Sequence, residues 1–392
     1  MGITLNEDQI YASYRAKDWW AEGNEQIFEI SGAAGTGKTT CCRYILQELG
    51  LDISDCAFVA FTGKAASQLA RNGLPGKTVH SYFYEYVKRP YRDENGKFVL
   101  RPNGKPKMVG SFELVDRLKG KPKCIVIDEA PQINQEMKND ICSFGVPIIA
   151  LGDRNQLPPV FGKSVFLVEP DVTLHQIMRQ NEGNPIIWLA HQVLDGKMPP
   201  YGVYKNSCVI RKDDLTEFQL KNADVILTGT NKLRFQINDL FREEYLGFSR
   251  LEIPYLGEKI MCRRNNWNRT IGDNLYLTNG LTGFIEYVDR ESFNGKTIKL
   301  DFRPDFTNKI FRNTIVDYGH LMRNEDPLEQ NSYKLGMDVF EFAYAITTYS
   351  SQGSQWDNVV GLHEDFLSSK EDRMRHLYTM ITRAAQQICL VI

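Results

Sequence analysis

Gly32-Ala33-Ala34-Gly35-Thr36-Gly37-Lys38-Thr39 decides the fold of this chain. The stretch follows an apolar run, Ile27-Phe28-Glu29-Ile30-Ser31, and opens a helix-compatible segment at Thr39. A buried strand, a glycine-rich loop and then a helix is the context that a phosphate-cradling P-loop requires. Glycines let backbone N–H groups turn inward around the β- and γ-phosphates of a nucleotide without Cβ clashes. On this reading Lys38 brings a point charge to the phosphates and the Thr39 hydroxyl ligates Mg²⁺. The stretch therefore predicts a protein that binds a nucleoside triphosphate.

Outward from the loop, short apolar runs at 27–31, 57–62, 124–128 and 147–152 alternate with helix-compatible segments. Such runs suit strands covered on both faces, as in a parallel α/β sheet. The run Cys124-Ile125-Val126-Ile127 ends in Asp128-Glu129. Asp128 is placed to hold Mg²⁺ through its waters, and Glu129 to orient or deprotonate an attacking water. The next run leads into Gly152-Asp153-Arg154-Asn155-Gln156-Leu157-Pro158-Pro159-Val160. There Gln156 is a candidate sensor of the γ-phosphate, and the Pro-Pro pair fixes a rigid exit. Two arginines complete the set: Arg179 in Met178-Arg179-Gln180 and Arg383 in Thr382-Arg383-Ala384. Phosphoryl transfer needs positive charge at its transition state, which a guanidinium supplies. An arginine from a second domain makes domain closure depend on the bound nucleotide.

Between the second and third runs lies a segment of another texture, 88–110. It holds seven basic residues (Lys88, Arg89, Arg92, Lys97, Arg101, Lys105, Lys107) against two acids. Asn95-Gly96 and Asn103-Gly104 are turn signals, and Lys97-Phe98-Val99-Leu100 between them suits a strand. A small basic hairpin is expected. In the second half, 225–228, 340–346 and 388–392 read as further strands, and 255–337 reads as a small β-barrel insertion.

At 392 residues the chain has room for two core domains with insertions. A net charge of −2 argues against coating nucleic acid by bulk electrostatics, yet permits a local basic groove. Eight cysteines without a Cys-x-x-Cys pair read as free thiols, consistent with a reducing cytoplasm. No apolar run approaches a membrane span, and the first residues show no signal-peptide pattern, so no membrane partner is expected.

Taken in order, these segments resemble a superfamily 1 (B-type) DNA helicase of the RecD-like, Dda-type branch. The matching stretches run from Leu5–Gln9 through the P-loop, Phe61-Thr62-Gly63-Lys64, Thr78-Val79-His80-Ser81 and Asp128-Glu129. They continue through Gly152–Val160, Met178-Arg179-Gln180, Ala345–Gly353 and Leu377–Ala384. Tyr378-Thr379 with Thr382-Arg383-Ala384 favours this branch over the Pif branch. The resemblance implies an α/β fold of two RecA-like domains with parallel sheets. The first takes 1–86 and 112–180, with a pin hairpin at 87–111; the second takes 181–254 and 338–392, with a β-barrel at 255–337. Asn279-Gly280-Leu281-Thr282-Gly283 fits the barrel's Asn-Gly-x-x-Gly turn.

The same resemblance implies ATP and Mg²⁺ as cofactors. Gln9 would read adenine; Gly35, Thr36, Gly37, Lys38, Thr39 and Thr40 would hold the nucleotide. Gln156, Arg179 and Arg383 would surround the γ-phosphate. Single-stranded DNA would meet Thr62, Lys64, Thr78, His80, Pro158, Asn231, Tyr349 and Ser351. Phe98 is either the apolar tip of the pin or a packing residue, and His80 either a DNA contact or a satisfied loop histidine. Two departures stand out. Tyr349-Ser350 replaces the family's His-Lys before Ser-Gln-Gly, and Gln386-Gln387 replaces lysines after Thr-Arg-Ala.

The family implies 5′→3′ movement on single-stranded DNA, with single-/double-strand junctions as substrates and single-stranded DNA-binding or other replication proteins as partners. The short segment before Gln9 resembles compact phage enzymes, which would place the protein in the host cytoplasm. Two other readings stay open: a viral-type superfamily 1 RNA helicase, and a translocase that displaces proteins with little unwinding.

Overall fold

The computed structural model describes residues 5–33, 35–92, 96–100, 104, 106, 108–158, 164–176, 184–248, 252–272, 275–322 and 336–392. The chain divides into two compact units. One comprises Met1–Gly32, Lys38–Gly152 and Phe161–Gln176; the other comprises Ala33–Gly37, Asp153–Val160 and Ile177–Ile392. No helix among the described residues is long and apolar enough to cross a membrane.

The first unit is built on six parallel strands in the order Gly76–Thr78, Cys56–Ala60, Cys124–Asp128, Ile148–Gly152, Ile27–Gly32 and Val172–Leu174. Every residue of Cys56–Ala60 and of Ile148–Gly152 is buried. Successive side chains of a strand point to opposite faces, so a strand apolar throughout needs cover on both. Cys56, Phe58 and Ala60 accordingly pack with helices Glu7–Glu22, Lys38–Glu48 and Gly63–Arg71, while Ala57 and Val59 face a second core around Phe83, Ile141 and Phe166. Burial of each large apolar side chain contributes about 1.5–3 kcal/mol.

Two expectations shift at the strand ends. The strand read over 57–62 stops at Ala60, because the Thr62 hydroxyl accepts the Ala65 N–H at 3.1 Å and caps helix Gly63–Arg71. The basic segment is flanked by a longer antiparallel pair than expected, Tyr84–Pro90 with Met108–Leu114. Lys97–Leu100 forms no regular strand; it contributes the bridges Arg92↔Phe98 and Leu100↔Pro106. Pro106 has no N–H to return to a ladder, which stops pairing there.

The second unit holds a six-stranded sheet in the order Ala345–Thr347, Val225–Thr228, Trp356–Leu362, Ala384–Val391, Ser207–Ile210 and Gly202–Tyr204. It is parallel except for the last pairing. The single strand expected over 340–346 is two strands in two sheets. Phe340–Phe342 pairs antiparallel with Lys259–Cys262, and Ala345–Thr347 pairs parallel with Val225–Thr228. The chain changes sheets between them: the Ala343 N–H donates to the Lys259 carbonyl at 2.8 Å, and the Tyr344 carbonyl accepts the Ile226 N–H at 3.0 Å. The free edge of Ala345 is covered by Asn238, whose side chain accepts from its N–H and donates to its carbonyl. The strand expected at 388–392 starts earlier, at Ala384.

A five-stranded antiparallel sheet follows the order Phe311–Asp317, Thr297–Pro304, Thr282–Asp289, Lys259–Cys262 and Phe340–Phe342. Its outer strands approach each other through Asp338, whose N–H donates to Ile315 at 2.7 Å and whose carbonyl accepts from Asp317 at 2.9 Å. Ile260, Ile285, Leu300, Phe302 and Phe340 fill its interior.

The two glycines of Asn279-Gly280-Leu281-Thr282-Gly283 have different physical grounds. Gly280 sits at φ +84° in open space, whereas a Cβ on Gly283 would stand 2.1 Å from the Arg303 carbonyl oxygen. Backbone of a paired strand cannot step aside. Gly283→Ala is expected to lower stability by about 1–3 kcal/mol or more, and Gly280→Ala by about 1 kcal/mol. Denaturant melts of the two variants check the order; a Gly283→Ala melt equal to wild type would show that the strands can separate locally.

Candidate active site

Gly35 and Gly37 take the left-handed backbone that the lack of a Cβ permits, at φ +88° and φ +77°. Thr36 is buried, its hydroxyl donating to the Ala33 carbonyl at 2.9 Å. Lys38 opens the eleven-residue helix Lys38–Glu48, and its ammonium donates to the Gly32 carbonyl at 2.7 Å. Thr39 and Thr40 follow in the first turn, half-buried. Helix N–H groups, the helix dipole and the lysine thus lie together at the start of this helix, features that favour phosphate.

Asp128 ends its strand and accepts the Glu129 N–H at 3.0 Å. Burial, then the charge of Glu129, push its carboxyl up to about 6, against the opposing pull of Lys38. Glu129 itself stands at φ +55°, a left-handed conformation costly for a side chain with a Cβ and concentrated at functional sites. The following turn, Ala130–Gln132, packs onto strand Ile148–Gly152 because Gly152 lacks a Cβ, which would meet Pro131 Cδ at 2.4 Å. A desolvated carboxylate with a raised pKa is a group that a cation relieves. Among the described residues no three His, Cys, Asp or Glu cluster to hold a metal alone. One carboxylate and one hydroxyl, Asp128 and Thr39, nevertheless suit Mg²⁺, which takes few protein ligands besides phosphates and water.

Gln9 is buried in helix Glu7–Glu22 and forms a capping box with Asn6: each side chain accepts the other's N–H, at 2.9 and 3.1 Å. Its carbonyl receives the Cys41 thiol of the P-loop helix at 3.9 Å. Beside it, Asp8 accepts the N–H groups of His175 and Gln176 at 2.7 and 2.8 Å, an anchor that sequence reasoning missed. Arg179 lies outside the described residues.

Of the residues expected to meet DNA in the first unit, Thr62 and Thr78 both act as helix N-caps, Thr78 accepting the Ser81 N–H at 3.1 Å. Lys64 is half-buried in the first turn after Thr62. The His80 ring lies 6.1 Å from Phe61 and 5.6 Å from both Tyr84 and Phe112, which joins the strand end to the base of the antiparallel pair. Burial lowers its pKa, so the ring is neutral at physiological pH. Phe98 is 46% exposed, with the Arg92 guanidinium 3.9 Å from its ring centre, which overturns the alternative of core packing.

In the second unit Gln156 is buried, its N–H donating to the Asp153 carbonyl at 3.2 Å, and Pro158 follows two residues on, half-buried. Asn231 is exposed at the start of helix Asn231–Leu240. The turn before it, Gly229–Thr230, surrounds the Glu364 carboxylate with two N–H groups and a hydroxyl at 2.7–2.8 Å, a contact no local pattern announces. Tyr349 is half-buried, 6.5 Å from the His376 ring. Ser351 is fully buried and its hydroxyl donates to the Thr348 carbonyl at 2.6 Å, a turn-closing part in place of an exposed one. Arg383 is buried and donates to the Thr379 and Ser354 carbonyls and the Thr382 hydroxyl at 3.1–3.3 Å.

The sequence profile described as an AAA domain matches residues 4–214, and that of the UvrD-like helicase C-terminal domain matches 342–391. The ATP-dependent RecD2 DNA helicase of Deinococcus radiodurans is 25% identical over 379 residues, covering 92% of this chain and 46% of the relative. An uncharacterized protein of Methanocaldococcus jannaschii is 22% identical over 448 residues, covering 93% of this chain and 36% of its own length. The chain thus spans less than half the length of these curated relatives. Among solved structures, Pif1 helicase from Candida albicans matches with a TM-score of 0.52 at 17% identity, over 99% of this chain and 94% of that one. Bacteroides Pif1 bound to single-stranded DNA matches with a TM-score of 0.53 at 17% identity, over 99% and 92%. At such identity the likeness is one of fold, two RecA-like domains.

The raised pKa of Asp128 has a thermodynamic sign. Between its ordinary value of 3.8 and about 6, the folded chain binds the proton more tightly than the unfolded chain, so stability rises as pH falls through that window. Above it the ionised carboxylate destabilises the fold. Asp128→Asn is therefore expected to melt at a higher temperature than wild type at neutral pH without metal or nucleotide, with the difference shrinking toward pH 3.8. Equal melting temperatures at neutral pH would show that Asp128 is not under this stress.

Proposed function

We propose that this chain, which belongs to the AAA-domain family, is a RecD-like superfamily 1B helicase that hydrolyses ATP to move 5′→3′ along single-stranded DNA and to part duplex ahead of it. What carries the reading is the company of the P-loop: the acid pair Asp128-Glu129 ends a strand of the same parallel sheet, near enough for Lys38 to act on Asp128. Bacteroides Pif1, whose fold this chain shares, has been solved with ADP-AlF3 and single-stranded DNA.

In this mechanism the loop 35–40 and Lys38 grip the phosphates and Gln9 faces adenine. Glu129 orients or deprotonates the attacking water, while Gln156, Arg179 and Arg383 take up charge as the γ-phosphoryl leaves. Thr39, and Asp128 through water, would hold Mg²⁺, which would neutralise charge at the phosphates. Two RecA-like domains, 1–86 with 112–180 and 181–254 with 338–392, close on nucleotide and reopen after hydrolysis, each holding the DNA backbone in turn. Thr62, Lys64, Thr78, Pro158 and Asn231 contact that backbone, a grip indifferent to sequence and weakened by salt. His80 and Tyr349, uncharged and aromatic, suit stacking on bases. The segment 87–111 acts as the pin, with Phe98 presented under Arg92, and 255–337 forms the small barrel. Single-stranded DNA, forked junctions and the proteins that coat single strands are the partners of such a motor, acting in the cytoplasm.

Lys38→Ala and Arg383→Ala are each expected to lower DNA-stimulated ATP hydrolysis by about 10²-fold or more with the circular-dichroism spectrum unchanged; wild-type turnover in Arg383→Ala would remove that residue from the site. Unwinding of duplexes with a 5′ or a 3′ tail, in DNA and RNA versions, tests substrate and direction together: the 5′-tailed DNA should open. Opening of RNA with equal efficiency would favour the RNA-helicase reading. Deletion of 88–110 should abolish unwinding and spare ATP hydrolysis, and full unwinding without that segment would end the pin assignment.

A further inference from the structure

The segment that carries Gln156 is held by three side chains from far along the chain, all within the second unit. Asp153, 1% exposed, accepts the Tyr378 hydroxyl at 2.5 Å and the Asn155 N–H at 3.0 Å. The Leu157 N–H donates to the Thr379 hydroxyl at 3.0 Å, and the Leu157 carbonyl accepts the Gln352 side-chain amide at 2.7 Å. These partners stand 225, 222 and 195 residues away in sequence, so none is a local turn closer. Tyr378 and Thr379 are fully buried, as is Leu157.

Thr379 also reaches the other way. Its carbonyl accepts Arg383 Nε at 3.1 Å, and its hydroxyl donates to the Arg375 carbonyl at 2.8 Å while accepting from Leu157. One residue therefore binds the backbone next to Gln156 and the guanidinium of Arg383. Such contacts are expensive to leave unmade in a dry interior and strong when one partner is a carboxylate. They fix the mutual position of two side chains whose use depends on distance.

We infer that Tyr378 and Thr379 are positioning residues that set Gln156 and Arg383 in one geometry whenever the two proposed domains are closed, with Gln352 tying the Ser351-Gln352-Gly353 turn to the same segment. The inference rests on reading the chain as an ATPase. It predicts a defect in turnover rather than in nucleotide grip, since Lys38 and the loop are untouched. Through Gln352 the geometry of Gln156 follows the turn that contains Tyr349, so strand engagement and hydrolysis share one mechanical link.

The test uses the full chain as wild type, Thr379→Val, Thr379→Ser and Tyr378→Phe, with ATP hydrolysis measured with and without oligothymidylate and a thermal melt for each. Valine keeps the volume and loses the acceptor for Leu157; serine keeps it. The expected result is a kcat lowered roughly ten- to a hundredfold in Thr379→Val and in Tyr378→Phe, a KM for ATP within about twofold of wild type, and near-normal turnover in Thr379→Ser. Wild-type kcat in Thr379→Val, or serine no better than valine, would overturn the inference. Should Thr379→Val fail to fold, Tyr378→Phe decides on the same kcat-against-KM criterion. A wild type that hydrolyses ATP without DNA stimulation defeats the motor reading but leaves the kcat comparison valid. If wild type hydrolyses nothing, binding of ADP with aluminium fluoride decides: loss in valine and retention in serine supports the tie, and equal binding overturns it.

Discussion

Parallel register is the constraint from which the rest follows. Ser31 pairs with Gly152 and Ala60 pairs with Asp128, so the P-loop entry, the acid pair, the Thr62 cap and the start of the Gln156 segment all leave one edge of one sheet. In a parallel sheet every strand ends on the same side, and its connections must cross back over the faces as helices. Ligand chemistry therefore gathers at that edge. A one-residue slip of Cys124–Asp128 would turn Ile125 and Ile127 to the wrong core and withdraw Asp128 at once. Core and site are specified by the same hydrogen bonds.

The groups at that edge are kept under stress by the packing behind them. Burial and Glu129 hold the Asp128 carboxyl up to about 6, and Glu129 is itself held at φ +55°. The turn after it is pressed onto the sheet where Gly152 leaves room. A cation and phosphates would relieve the first stress; the second keeps the Glu129 side chain from relaxing into an ordinary helical start. Local destabilisation at such an edge is sustained by apolar strands on both sides of it, buried over nearly their whole length.

Much of this was legible in the sequence. Glycine spacing before Lys38, apolar runs ending in Asp128-Glu129 and the turn Asn279–Gly283 are local signals with local causes. The split of 340–346 between two sheets was not, because Phe340 to Ile346 is apolar apart from Glu341 and either sheet would accept it; the change of partner at Ala343-Tyr344 is set by Lys259 and Ile226. Asn6-x-x-Gln9 is a capping-box pattern and was open to recognition from spacing alone. The anchors Asp8–His175, Glu364–Gly229 and Tyr378–Asp153 join residues far apart in the chain, where no periodicity carries information.

The departure at Tyr349-Ser350 acquires a physical account in the same way. Ser350 donates its N–H to the Thr347 hydroxyl at 3.2 Å and its own hydroxyl stands 3.0 Å from it, while Ser351 closes onto Thr348. A lysine at position 350 would keep the N–H bond to Thr347 but lose the hydroxyl contact. The short helical turn Tyr349–Ser351 directly precedes Gln352. Gln352 in turn holds the Leu157 carbonyl. The hydroxyl at position 350 thus adds a contact within the turn that leads to Gln352, and through Gln352 to the Leu157 carbonyl, a contact that a lysine side chain cannot replace.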